Sequence, residues 1–158
     1  MPGYQIQPAQ TPEDIAAVAR LFREYEASIE IDLCFQDFEA ELAGLPGKYA
    51  PPSGALLLAH AEDGSAIGCV ALRPFPNGCE MKRLYVSPEG RGMGLGGALV
   101  RAILDEAVRL GYSEIFLDTL PTMTEAISLY EKNGFERTDS YYETPIEGTV
   151  FMRKKLSP

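Results

Sequence analysis

At 158 residues, with 46% apolar and 23% charged side chains, the chain has the size and composition of one soluble globular domain, spanning 1–158, that can bury a core. A formal net charge of −9 argues against nucleic-acid binding, which rests on Lys and Arg neutralising phosphates. No apolar run approaches the length of a membrane helix, and Met1-Pro2-Gly3-Tyr4-Gln5 lacks the basic-then-apolar pattern of a signal peptide, so no membrane role is expected.

Residues 4–8 alternate as a first strand. Thr11-Pro12-Glu13-Asp14 then supplies an N-cap, a proline at the first helical position and acids in the first turn. Ile15, Val18, Phe22, Tyr25 and Ile29 follow at helical spacing. A short helix is expected over 36–42, and the Pro- and Gly-rich stretch 44–54 reads as a loop. Residues 1–50 hold nine acids against three bases (Arg20, Arg23, Lys48), either a solubilising surface or an acidic rim that attracts a cationic amine. Strands are expected over 55–61, 66–72 and 79–86. The turns between them, Glu62-Asp63-Gly64-Ser65 and Asn77-Gly78, are so short that these strands must be antiparallel neighbours. Leu95, Leu99, Ile103, Ala107 and Leu110 form one face of a helix that Gly111 ends. Residues 114–118 read as a buried strand, parallel to 79–86 through a right-handed crossover. A helix over 124–133 ends at Gly134, and 135–142 with 150–154 make a final pair of strands. Period-two alternation along the strand 79–86 puts Glu80, Lys82 and Leu84 on one face and Met81, Arg83 and Tyr85 on the other.

The cysteines, Cys34, Cys69 and Cys79, are too few and uneven for a disulfide framework and suit a reducing, cytoplasmic compartment. With one histidine, His60, and no CxxC pair, no metal site is expected, nor is Cys79 a nucleophile. The most informative run is Val86-Ser87-Pro88-Glu89-Gly90-Arg91-Gly92-Met93-Gly94-Leu95-Gly96-Gly97, between a strand and a helix. Glycines let backbone approach a ligand closely, and the first N–H groups of a helix have no internal partner, so the run predicts a phosphate-bearing ligand. Gly92, Gly94 and Gly97 satisfy G-x-G-x-x-G, with Asp118 placed to hold a ribose, as in a nicotinamide-dependent oxidoreductase. Against that, Ser87–Arg91 separate strand from glycines and the preceding strands form an antiparallel meander. A P-loop fits less well still, since no Gly-Lys-Ser/Thr follows the glycines.

The same residues read better as R/Q-x-x-G-x-G/A, carried by Arg91-Gly92-Met93-Gly94-Leu95-Gly96. Together with Leu84-Tyr85-Val86-Ser87-Pro88 before it and Ala126-Ile127-Ser128-Leu129-Tyr130-Glu131-Lys132-Asn133-Gly134-Phe135 after it, the chain resembles the GNAT superfamily of N-acetyltransferases. The resemblance implies an α/β (α+β) fold: a mixed central sheet with antiparallel N-terminal strands, a splayed parallel central pair and flanking helices. It implies acetyl-CoA as cosubstrate and no metal. The backbone N–H groups of Arg91, Gly92, Met93, Gly94, Leu95 and Gly96 would cradle the pyrophosphate, and the exposed backbone of Leu84, Tyr85 and Val86 would pair with the pantetheine arm. Tyr130 matches the family's general acid. Glu80 is the candidate general base, with a structural ion-pair partner as its alternative. Relatives often carry Asn where this chain has Met123, so Thr119 or Thr124 is expected to supply that contact. The acceptor is expected to be the amine of a small molecule or amino-acid-like compound, ahead of a peptide or protein amine, with Phe22, Tyr25, Phe35 and Tyr142 as candidate pocket walls. A non-catalytic CoA-binding module is a further alternative, and a homodimer is left open.

Overall fold

The computed structural model describes residues 3–29, 38–76, 78–142, 144 and 146–156. Seven strands form one sheet in the order β1-β2-β3-β4-β5-β7-β6: β1 Tyr4–Pro8, β2 Ala55–Ala61, β3 Ala66–Phe75, β4 Gly78–Val86, β5 Glu114–Thr119, β6 Glu136–Thr138 and β7 Val150–Lys155. All neighbours are antiparallel except β4 and β5. The helices are α1 Pro12–Ile29, α2 Phe38–Ala43, α3 Leu95–Arg109 and α4 Thr124–Lys132. The mixed sheet and flanking helices expected from the sequence are therefore present. Gln36 and Asp37, the expected start of the second helix, lie outside the described residues.

Helices cover both faces of the sheet, which is why β2 is apolar at almost every position. Leu57 and Ala59 point into a core shared with Leu95, Leu99, Val100 and Ile103 of α3, while Leu56 and Leu58 point into a second core with Val18, Leu21 and Phe22 of α1. Local signals set the helix ends. Thr11 Oγ1 accepts from Asp14 N at 3.0 Å, and Asp14 Oδ2 accepts from Gln10 N and Thr11 N in return. Gly111, at φ +88°, closes α3 with a Tyr112 N–H donated to Ala107 O.

Two features depart from the sequence reading and both shape the site. First, alternation along β4 breaks. Cys69 faces Tyr85 but Ala71 faces Lys82, so Arg83 and Leu84 together oppose the single residue Val70, and Arg83 takes φ +62°. After this bulge the faces swap: Leu84 and Val86 join Cys79 and Met81 on the α3 side, whereas Arg83 and Tyr85 join Glu80 and Lys82 on the other. The strained backbone is held by the Arg83 guanidinium, which donates to both oxygens of Glu41 at 2.9 and 3.0 Å and lies 5.3 Å from the centre of the Phe38 ring. Second, β6 ends at Thr138 instead of running to 142. The chain leaves the sheet edge there, and Tyr141 and Tyr142 reach across to carboxylates on β4 and β5.

Candidate active site

The site grows from the one parallel strand pair. β4 and β5 are hydrogen-bonded only at Cys79↔Ile115 and Glu80↔Phe116. Beyond that point β4 stays with β3 as far as Val86 and β5 stays with β7 as far as Thr119, so the two strands open into a V. The closed end is tight: a Cβ on Gly78 would collide with Glu114 O. The open end is a cleft lined by Met81–Leu84 on one arm and Leu117–Leu120 on the other, together with Tyr25, Met123 and Tyr130. It continues into an open groove of about 880 Å³ whose walls include Leu84, Tyr85, Val86, Arg91, Gly96, Thr124 and Leu129.

At the far end of that groove lies the glycine run. A 3-10 turn at Pro88–Gly90 leads into it, Gly92 and Gly94 adopt φ of +86° and +72°, and α3 begins at Leu95. Gly94 is the N-cap and has no side chain to satisfy the helix, whose first bond runs from Ala98 N to Gly94 O. The N–H groups of Leu95, Gly96 and Gly97 therefore precede any helical bond and carry the positive end of the helix dipole. Nothing lies within 4 Å of where a Cβ would stand on Gly92 or Gly94, so this lip has room for an anionic group against the backbone. Leu95 itself is buried in the core and offers only its N–H, while the Arg91 side chain donates back to Val86 O at 3.4 Å. Residues, room and electrostatics fit a pyrophosphate.

Tyr130 and Thr119 also reach the cleft. Tyr130 packs edge-on against Phe135, and burial, with Tyr25 and Asp118 adding to it, pushes its phenol far up, so it stays protonated at any working pH. Thr119 Oγ1 lies 3.7 Å from Met123 Sδ, and Met123 lines both cleft and groove. Thr124 lies on the groove wall.

Glu80 does not line the cleft. It is 1% exposed beside the closed end, with Oε1 accepting from Arg73 Nε and Nη2 at 2.7 and 2.6 Å and Oε2 accepting from Tyr141 at 2.7 Å. Of its two sequence-derived roles, the ion pair is thus built into the fold. Cys79 is buried in the core, and desolvation pushes its thiol up to about 12. Among the candidate pocket walls, Tyr25 lines the cleft and Tyr142 bonds a carboxylate beside it. Phe22 is fully buried against Tyr49, and Phe35 lies outside the described residues. Among the described acids of the N-terminal segment, Glu24 pairs with Arg20 and accepts from Tyr85, Glu39 pairs with Arg23, and Glu41 pairs with Arg83.

The sequence reading missed the polar centre of the cleft. Asp118 and Lys82, on opposite arms of the V, approach to 4.0 Å, and the Tyr142 hydroxyl donates to Asp118 Oδ2 at 2.7 Å. Burial lowers the Lys82 ammonium, with Asp118 and Glu80 pulling the other way. The sequence offers Asp118 only as a ribose ligand. Its true neighbours come from strands far apart in sequence.

The family model described as "Acetyltransferase (GNAT) family" matches residues 15–135. An uncharacterised N-acetyltransferase of Schizosaccharomyces pombe is 46% identical, over 96% of this chain and 94% of its own length. One from Escherichia coli is 30% identical, over 82% and 80%. Among solved structures, a GNAT-family acetyltransferase from Staphylococcus aureus superposes with a TM-score of 0.81 at 18% identity, covering 98% of this chain and 99% of its own. The PaiA N-acetyltransferase of Thermoplasma acidophilum, in complex with coenzyme A, does so with a TM-score of 0.74 at 23% identity, covering 96% and 98%.

Proposed function

The chain belongs to the GNAT acetyltransferase family, and on that premise we propose that it transfers acetyl from acetyl-CoA directly to the primary amine of a small molecule or amino-acid-like acceptor. The observation that carries this reading is the V between β4 and β5, with one continuous groove leading from it to the free N–H groups at the start of α3. The backbone of 91–96 binds the pyrophosphate without needing many cations, which suits a chain of net charge −9. The backbone edge of Leu84, Tyr85 and Val86, left by β5, pairs with the pantetheine arm as with a strand. Leu84 and Val86 side chains meanwhile rest on the α3 core, so packing and binding use different atoms of the same residues. Thr119 and Thr124 supply polar contact near Met123.

Tyr130 acts as the general acid. Its phenol lines the cleft, burial keeps it protonated in the resting enzyme, and it gives its proton to the departing sulfur as that sulfur gains charge. Glu80, bound at both oxygens, holds Arg73 and Tyr141 beside the closed end. The tight cleft favours a slender amine over a broad surface.

The test is thermal shift followed by an amine panel. Acetyl-CoA at a hundred times its Kd should stabilise the fold by about 2.7 kcal/mol, and NAD by nothing measurable. The panel then reads CoA release by thiol titration. Stabilisation by NAD and not by acetyl-CoA would reject the proposal.

A further inference from the structure

We propose that Asp118 is the catalytic base, the carboxylate that takes the proton of the acceptor's ammonium, and that Tyr142 and Lys82 are its positioning residues. This rests on the acetyltransferase reading of the same cleft. Four observations carry it. Asp118 is the only carboxylate among the described residues lining the inner cleft. It sits two residues past the last β4–β5 pair, Glu80↔Phe116, where the V has just opened. Its side chain keeps 16% exposure, against 1% for Glu80, so one carboxylate faces the reacting space and the other is sealed. Finally, Tyr142 donates to Oδ2, while Oδ1 of this cleft-lining carboxylate has Lys82 Nζ at 4.0 Å.

The two consecutive tyrosines explain the division of labour. Tyr141 holds Glu80 on β4 and Tyr142 holds Asp118 on β5, so one short segment clamps both arms of the V. Burial and the neighbouring carboxylates push both phenols far up, and each remains a donor throughout the working range. The charged and titratable groups around Asp118 are Lys82 and Glu80 from β4, Tyr25 from α1, Tyr130 from α4, and Tyr141 and Tyr142.

The reaction balances as follows. The ammonium N–H bond breaks and its proton passes to the Asp118 carboxylate, then to water. The freed nitrogen lone pair forms the C–N bond to the thioester carbonyl carbon as the C–S bond breaks. Tyr130 protonates the sulfur, and the second proton lost by nitrogen restores Tyr130. Amide, thiol and one proton are released.

The test compares wild type, Asp118→Asn, Glu80→Gln and Tyr142→Phe, full-length, with acetyl-CoA and n-butylamine, L-alaninamide and L-lysine as acceptor probes. Asp118→Asn should lower kcat/KM about a hundredfold at neutral pH. It should also replace the wild-type acid limb of the pH–rate profile with one that follows deprotonation of the free amine and so differs among the three acceptors, while acetyl-CoA still raises Tm. Tyr142→Phe removes a donor to the charged carboxylate, so its acid limb should move to higher pH. Glu80→Gln should keep the wild-type limb and show its loss in Tm. A wild-type profile in Asp118→Asn, or loss of the limb in Glu80→Gln instead, would overturn the assignment. So would turnover of none of the three amines by wild type. A normal acetyl-CoA thermal shift in those cases would leave the acetyltransferase reading standing.

Discussion

The two ends of the cleft are built from different material. The end at Gly92–Gly96 is one contiguous stretch of backbone, a pair of left-handed glycines and the bare first turn of α3. The end at Asp118 is made of side chains from separate elements: Tyr25 from α1, Lys82 from β4, Asp118 from β5, Tyr130 from α4 and Tyr142 from the segment after β6. On the proposed function, a ligand part shared by many enzymes would be met by peptide groups that any sequence possesses once the glycines are in place, and the part that varies would be met by side chains that can be exchanged singly without disturbing the turn. The comparison therefore predicts that changes at the two ends separate cleanly into binding and rate.

The largest expected effect is at the backbone end. Gly94→Glu should weaken CoA binding by at least about a hundredfold, because it puts a negative charge where the helix N-terminus attracts one. No protein atom lies within 4 Å of the new Cβ, so the fold has space for it, and titration calorimetry with CoA reads the loss directly. The left-handed φ still costs about 1–2 kcal/mol of stability, which a parallel Gly94→Ala variant isolates. Unchanged affinity would break the comparison at its stronger side. Tyr130→Phe comes next. It should reduce kcat about a hundredfold and leave CoA affinity near wild type, because the proposed role belongs to its hydroxyl while its ring packs on Phe135. An affinity loss as large as the rate loss would show that the two ends are not separable.

The smallest effect is a control remote from both ends. Hydrogen bonds from Gln10 N–H, and further ones from Thr11, hold the Asp14 carboxyl below its ordinary value. A depressed folded value means that this stabilisation is full above the unfolded value of about 3.9 and is lost as pH falls through the folded one. Asp14→Ala should therefore lower Tm slightly at pH 7, where solvent screening at this exposed site keeps the effect small, and progressively less below pH 4. Urea melts at both pH values would check the sign. Neither CoA affinity nor kcat should move.

The same division governs what was legible beforehand. The α1 cap, the glycine turns at Gly94 and Gly111, and the helix spacing of α3 are decided within a few residues, so the chain alone predicts them and the structure has them. The glycine turn proposed to cradle the pyrophosphate is local in the same sense. The face that each β4 side chain occupies is not. Alternation failed because an extra residue at Arg83 is accommodated only when β3 pairs alongside and Glu41 of α2 neutralises the buried guanidinium.

By itself the sequence determined the order of strands and helices, the positions of the turns, the glycine turn proposed as the phosphate cradle, and the family, because each is encoded in short-range conformational preference or in a contiguous pattern. Tertiary structure alone decided which carboxylate is sealed and which faces the cleft. Glu80 and Asp118 are both acids on central strands, and nothing nearby in sequence tells them apart. Their fates are set by Arg73, Tyr141, Lys82 and Tyr142, brought from β3, β4 and the segment after β6 by sheet pairing, and by the point at which β4 and β5 part.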